Sequence, residues 1–276
     1  MASTKAIHAK ININMSKTYS LSEKHRMFLV AALFFLVPFA FMLYTRHAWE
    51  DWYITYRASK NLATGNGFVF VPGERLHTYT SPIGALIPAV LNLVTGNSSD
   101  ELVLLLYGTI GCISLSLTGV LLFKTGRALR LSFIPMFFLL GMIAFDAKSI
   151  DFSINGMETS FLLLCFSYLV WIHVTQSQSR WFAVHLGIAW AGFMWTRPDG
   201  FIYVAAISGA QFLLPTTTND ATAVGRKTTI RKYLIGAAIA SAIYLPWIIW
   251  AWSYYGSPVP NTIVAKGVNS PRPALT

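Results

Sequence analysis

The chain has 276 residues, of which 54% are hydrophobic, 14% aromatic and 12% charged, and its mean hydropathy is +0.52. Soluble domains carry about 25% charged residues, so an ordinary water-soluble enzyme is excluded. The net charge of +10 falls in the gaps between apolar blocks and forms no basic face, which argues against a nucleic-acid partner and for topogenic charge. Cys112 and Cys165 both lie inside apolar blocks, where neither suggests a disulfide framework or a metal-ligand cluster.

Taken in chain order, a polar, basic stretch to Arg26 is expected to be a cytoplasmic tail, and the apolar run from Met27 lacks a small-residue cleavage site, as an uncleaved first span would. Apolar blocks then occupy 27–45, 82–95, 101–123, 131–147, 157–175, 181–196, 200–215 and 234–253. The block 82–95 contains Pro88 and Asn92 and would make a helix of about 21 Å, short of the ~30 Å hydrocarbon core. It reads as a helix lying on the membrane surface or re-entering it. The expected fold is therefore all-α, a polytopic transmembrane bundle of about seven spans over 27–253, with surface-lying helices in a first outer loop over 46–100 and an outer-face tail over 254–276.

With the N-terminus inside, the inner segments hold thirteen of the 21 basic residues and two acids, Glu23 and Asp220, for a net +11 against −1 outside. That agrees with the positive-inside rule. It also gathers the unusual polar segments on the outer face: Glu50-Asp51, the loop through His77, Asp146 to Glu158, Thr196 to Gly200, and Tyr254 to Lys266.

Trp49-Glu50-Asp51-Trp52-Tyr53-Ile54-Thr55-Tyr56-Arg57 opens the first outer loop. A helix over about 50–63 would put Glu50, Tyr53, Ile54, Arg57 and Asn61 along one face, with Gly65 as its stop. Adjacent carboxylates just outside a span are costly unless they answer a partner, and such an acid is suited to taking a proton from a sugar hydroxyl. The aromatics read more simply as an interface belt. Phe68-Val69-Phe70-Val71 is strand-like, followed by a Pro72-Gly73 turn and by His77, Tyr79 and Thr80 in a loop.

The order of these residues resembles the first loop of the integral-membrane GT-C glycosyltransferases, particularly the subgroup with the mycobacterial terminal arabinofuranosyltransferases. Three later pieces resemble the same subgroup: Asn155-Gly156-Met157-Glu158-Thr159, Thr196-Arg197-Pro198-Asp199-Gly200, and Tyr254-Tyr255-Gly256-Ser257-Pro258-Val259-Pro260-Asn261-Thr262 leading to Lys266. The resemblance covers residues 46–266. It implies a multi-span enzyme of the bacterial inner membrane that moves arabinofuranose, or another pentose or hexose, from a polyprenyl-phosphate donor to a glycan or glycolipid acceptor on the outer face. The acidic pair maps to Glu50 and Asp51, with Asp51 favoured over Glu50 as base. His77 stands where the subgroup has an acid.

Transfer also needs cations for the departing phosphate. Arg57, Lys148, Arg197 and Lys266 are the candidates, Arg197 foremost. Glu158, Asp199 and Asn261 join His77, Tyr79 and Thr80 as candidate substrate contacts, although Lys148 is flanked by Asp146 and Asp151, Glu158 suits a helix start, and Pro-Asp-Gly is a good turn. No cofactor is expected; the acidic pair leaves room for a divalent metal without a further ligand set. A transporter is the main competing class, yet the span interiors carry almost no charge, with His185 the clearest candidate. A non-catalytic membrane subunit is the other. Relatives of this type are longer, so the chain is expected to be the N-terminal portion of a longer one.

Overall fold

The structure is a computed structural model that describes residues 2–213 and 223–261, with side chains for 23–210 and 227–261. The helices are α1 (Ala2–Thr45), α2 (Glu50–Ala63), α3 (Pro82–Val94), α4 (Asp100–Ala128), α5 (Phe133–Ala144), α6 (Ala147–Ile154), α7 (Thr159–Thr175), α8 (Phe182–Thr196), α9 (Phe201–Leu213) and α10 (Ala223–Tyr255), with a 3-10 turn at Pro198–Gly200. No strand occurs among the described residues. The protein is an all-α membrane helical bundle.

Three segments are long and apolar enough to cross a bilayer: Glu23–Thr45, Asp100–Ala128 and Lys227–Tyr255. A fourth arises if α5 and α6, bent by 48° at their junction, count as one broken span. The 17 residues of α7 and 15 of α8 reach about 26 and 22 Å, short of the ~30 Å hydrocarbon core. Helix α3, with 13 residues, reaches about 20 Å and exposes Val90, Leu93 and Val94 on one side. The polar residues 2–26 continue the same helix as the apolar run after them.

The bundle is a row in which α1 packs on α4, α4 on α7, α7 on α8 and α8 on α10, while α2 and α3 pair with each other beside α4. Small residues let these backbones meet. A Cβ on Gly108 of α4 would lie 2.6 Å from the Ile154 carbonyl of α6, and one on Gly187 of α8 would lie 2.8 Å from the Gly236 carbonyl of α10. Several side-chain hydroxyls on the spans turn back to their own helix, as Thr118 Oγ1 does to Ser114 O at 3.0 Å, which pairs them without a neighbouring helix.

Each long or paired helix reverses the chain, so one pole collects the end of α1, the starts of α4 and α7, and the ends of α8 and α10. Long-range contacts tie that pole together. The Trp49 N–H donates to Asn155 O at 3.1 Å, and the Trp49 ring stacks on Phe152 at 4.5 Å. The opposite pole holds Arg127, Arg180 and Lys232; there Arg127 pairs with Glu23 at 3.5 Å and Lys232 Nζ donates to Ser177 O at 2.9 Å.

The strand-like run Phe68–Val71 is not a strand. It lies in bends, and its peptide groups are served by side chains instead of a neighbouring strand. Asn61 Nδ2 donates to Val69 O at 2.8 Å and to Phe70 O at 3.1 Å, the Phe68 N–H donates to Tyr254 Oη at 3.1 Å, and Tyr255 Oη donates to Phe68 O. Backbone groups satisfied in this way need no sheet partner.

Candidate active site

At the motif-bearing pole a cleft of about 250 Å³ opens between α2, the 78–84 segment, the 156–158 turn and the end of α8. Its lining includes Asp51, Thr55, Tyr79, Thr80, Glu158 and Arg197.

Helix α2 presents three different faces. Trp52, Tyr56, Ala58 and Ser59 are buried, with Tyr56 Oη donating to Asp100 Oδ1 at 2.7 Å and Ser59 Oγ to Ala85 O at 2.7 Å. Arg57 and Asn61 hold the following loop, the Arg57 Nε donating to Phe70 O at 3.2 Å. Asp51, Ile54 and Thr55, at i, i+3 and i+4, form the cleft face. Glu50 is exposed in the same first turn but does not line the cleft.

The opposite wall depends on the turn at Asn155-Gly156. Gly156 has φ +99° and a Cβ there would stand 2.6 Å from Trp52 Cβ, so only glycine fits both the backbone and the gap. The turn delivers Glu158 as the residue preceding α7, with its carboxylate turned toward Arg197, whose Nη1 lies 3.2 Å from Glu158 Oε1. Arg197 also donates Nε to Asp199 Oδ1 at 2.9 Å and Nη2 to Asp199 Oδ2 at 3.2 Å, a two-pronged hold. Burial pushes the Glu158 carboxyl above its ordinary range; Arg197 opposes this, and the negative charges of Asp199 and Asp51 add to it. The Asp199 hydrogen bonds raise the Arg197 guanidinium above its ordinary value, so the cation of the cleft is permanent.

The third wall is the 78–84 segment. Ser81 caps α3 by accepting from the Gly84 N–H at 2.9 Å, which fixes Thr78, Tyr79 and Thr80 beside the cleft. Tyr79 is buried and its Oη lies 2.9 Å from Tyr255 Oη, and burial raises its phenol. His77 is buried, stacked on Tyr255 at 4.6 Å, and burial lowers its imidazole to about 4.

Of the residues expected from the sequence, the structure brings together Asp51, Tyr79, Thr80, Glu158 and Arg197 at the cleft, with Asp199 behind Arg197. His77 lines a smaller pocket next to it. Asn261 is exposed, its N–H donating to His77 O at 2.8 Å. Lys148 is exposed on α6, over the Phe152 ring at 6.0 Å, away from the cleft. Lys266 lies outside the described residues. Among the described residues no three His, Cys, Asp or Glu side chains converge to hold a metal. Sequence reasoning did not single out Thr55 or Thr78; for Thr55 the signal was present as the i+4 position from Asp51.

The chain is 28% identical to the terminal β-(1→2)-arabinofuranosyltransferase of Mycobacterium tuberculosis over 235 residues, covering 79% of this chain and 34% of that protein. It is 26% identical to the terminal β-(1→2)-arabinofuranosyltransferase of Corynebacterium glutamicum over 297 aligned positions, covering 97% of this chain and 39% of that protein. No family model matches the chain, and no solved structure matches it. The chain thus spans little more than a third of the length of the curated relatives it matches, and its similarity is to arabinofuranosyltransferases.

Proposed function

We propose that the chain carries the catalytic cleft of a membrane glycosyltransferase of the GT-C type, moving arabinofuranose from a polyprenyl-phosphate donor to a glycan or glycolipid acceptor. The observation that carries this reading is the convergence of Asp51, Glu158 and Arg197, from three separated motifs, on one cleft at the ends of the spans. The names of the two relatives support the sugar.

In this reaction the acceptor hydroxyl oxygen forms a bond to the anomeric carbon of the donor sugar. The bond from that carbon to the phosphate oxygen breaks, the polyprenyl phosphate leaves with the electron pair, and the hydroxyl proton passes to the Asp51 carboxylate. Arg197 meets the negative charge that grows on the phosphate, held in place by Asp199 and Glu158. Glu158, whose carboxyl burial holds above its ordinary range, and the hydroxyls of Thr55 and Thr80 are placed to bond the sugar or acceptor. The basic residues at the other pole support an orientation with the cleft on the outer face of the bacterial plasma membrane.

The test is transfer of labelled sugar from a polyprenyl-phosphate donor in membranes containing this chain. Asp51→Asn is expected to lower transfer by about 10²–10⁴-fold, the usual contribution of a general base, with membrane levels unchanged, and Glu50→Gln by far less. Transfer that survives Asp51→Asn removes the base from Asp51.

A further inference from the structure

Beside the cleft lies a second, smaller pocket of about 100 Å³ between the 77–82 segment, the middle of α10 and the chain just after it. Thr80 lines both spaces, so they share a wall residue. Trp247 and Tyr244 of α10 supply aromatic surface, His77 supplies an imidazole, and four prolines and Val259 complete the walls. None of these side chains carries a permanent charge. Arg197 belongs to the neighbouring cleft and not to this pocket.

His77 is 3% exposed, and its Nδ1 has no hydrogen-bond partner in the fold. Burying a ring nitrogen unpaired costs free energy, and the backbone around it is otherwise well anchored, with His77 O accepting from Asn261. The imidazole is neutral at physiological pH because burial depresses it, so it offers one donor and one acceptor. Aromatic faces with a few uncharged polar groups are the lining of a site for a small hydroxylated ring. The pocket is partly open, and its space of about 100 Å³, about three waters at their liquid volume, takes one edge or face of a single ring and not a disaccharide.

We infer that this pocket is a subsite for a single uncharged sugar ring, stacked against Trp247 or Tyr244 and hydrogen-bonded by His77 and Thr80, next to a cleft that takes the phosphate. The subsite makes His77 a specificity-determining residue. A site built to hydrogen-bond a hydroxyl discriminates strongly against a ring that lacks it. The kind of ring rests on the glycosyltransferase reading; the existence of the pocket does not.

The experiment is binding of methyl α-D-arabinofuranoside to the full chain in detergent micelles, followed by saturation-transfer-difference NMR. The native chain is expected to bind saturably, Arg127→Ala at the opposite pole to bind equally well, His77→Leu to lose at least tenfold in affinity, His77→Gln to retain most of it, and inorganic phosphate to leave the sugar in place. Thr80→Val, a change at the shared wall, is expected to weaken binding several-fold and decides the matter should His77→Leu fail to fold. Absence of binding to the native chain, displacement by phosphate, or undiminished binding in folded His77→Leu or Thr80→Val would each overturn the subsite. Binding of the sugar with no dependence of transfer on Asp51 would sink the catalytic reading and leave the subsite standing.

Discussion

Each pole of the bundle carries an arginine–glutamate pair, and the two pairs have different surroundings. At the basic pole Arg127 lies 3.5 Å from Glu23, with side chains 51% and 48% exposed. At the cleft Arg197 lies 3.2 Å from Glu158, with side chains 38% and 11% exposed, and a second carboxylate holds the guanidinium from behind. In the proposed orientation the basic pole works through the number of its positive charges, which a membrane reads collectively and which need no fixed geometry. The cleft pole works through position, and distant segments are spent on fixing it: Asn155 under Trp49, Tyr254 and Tyr255 on Phe68, and Gly156 against Trp52.

Arg197→Ala should break the comparison most severely. It removes the one permanent cation that lines the cleft among the described residues, so transfer should fall by about 10²–10³-fold, the usual cost of deleting a donor to developing charge. It also leaves Glu158 buried without its partner. Full burial would put that loss at several kcal/mol, but Arg197 is more than a third exposed, so about 2 kcal/mol is expected, read as a lower melting temperature in detergent.

His77 gives the next largest effect, and a pH-dependent one. Its imidazole titrates near 6.5 when unfolded and at about 4 in the fold because of burial, so between those values the unfolded chain binds more protons. The neutral ring's contribution is complete above pH 6.5 and is lost as pH falls toward 4, by about 3 kcal/mol in all. Melting curves of the native chain should therefore drop more steeply than those of His77→Gln across that window; parallel curves would mean that the ring is not buried as described.

Gly156→Ala tests the scaffold without touching a charge. The left-handed backbone and the approach to Trp52 should together cost about 2 kcal/mol, and transfer should fall because the turn that presents Glu158 cannot stay in place. Equal melting and transfer in native and variant chains would show that the turn has room to move.

Much of the fold was legible because its determinants are local. The apolar blocks 101–123, 157–175 and 181–196 reappear as α4, α7 and α8, and the stop at Gly65 follows α2 with φ +80°. The Phe68–Val71 run misled because β-branched and aromatic content signals a strand only when a partner strand exists; here Asn61 and two tyrosines from residue 254 onward take that part. At the site, Asp51 and Arg197 were nameable from their motifs. The face of α2 that meets the cleft was not, because Arg57 shares a helical stripe with Glu50 on paper while in the fold it is committed to the Phe70 carbonyl. Trp247 and Tyr244, deep within an apolar block, gave no local sign that they would border a pocket.

The smallest expected effect is the one that sharpens the comparison. Arg127→Ala removes a pair whose members are both about half exposed, where Coulomb attraction is weakened by water and salt and offset by the entropy of two long side chains, so stability should change by less than about 0.5 kcal/mol. Transfer in intact membranes should be unchanged as well, because the remaining Lys and Arg residues of that pole still set the orientation. The measurement is protease accessibility of the cleft-side loop in oriented vesicles together with a melting curve. Orientation that inverts on loss of Arg127 alone would mean that this pole, too, depends on position and not on the sum of its charges.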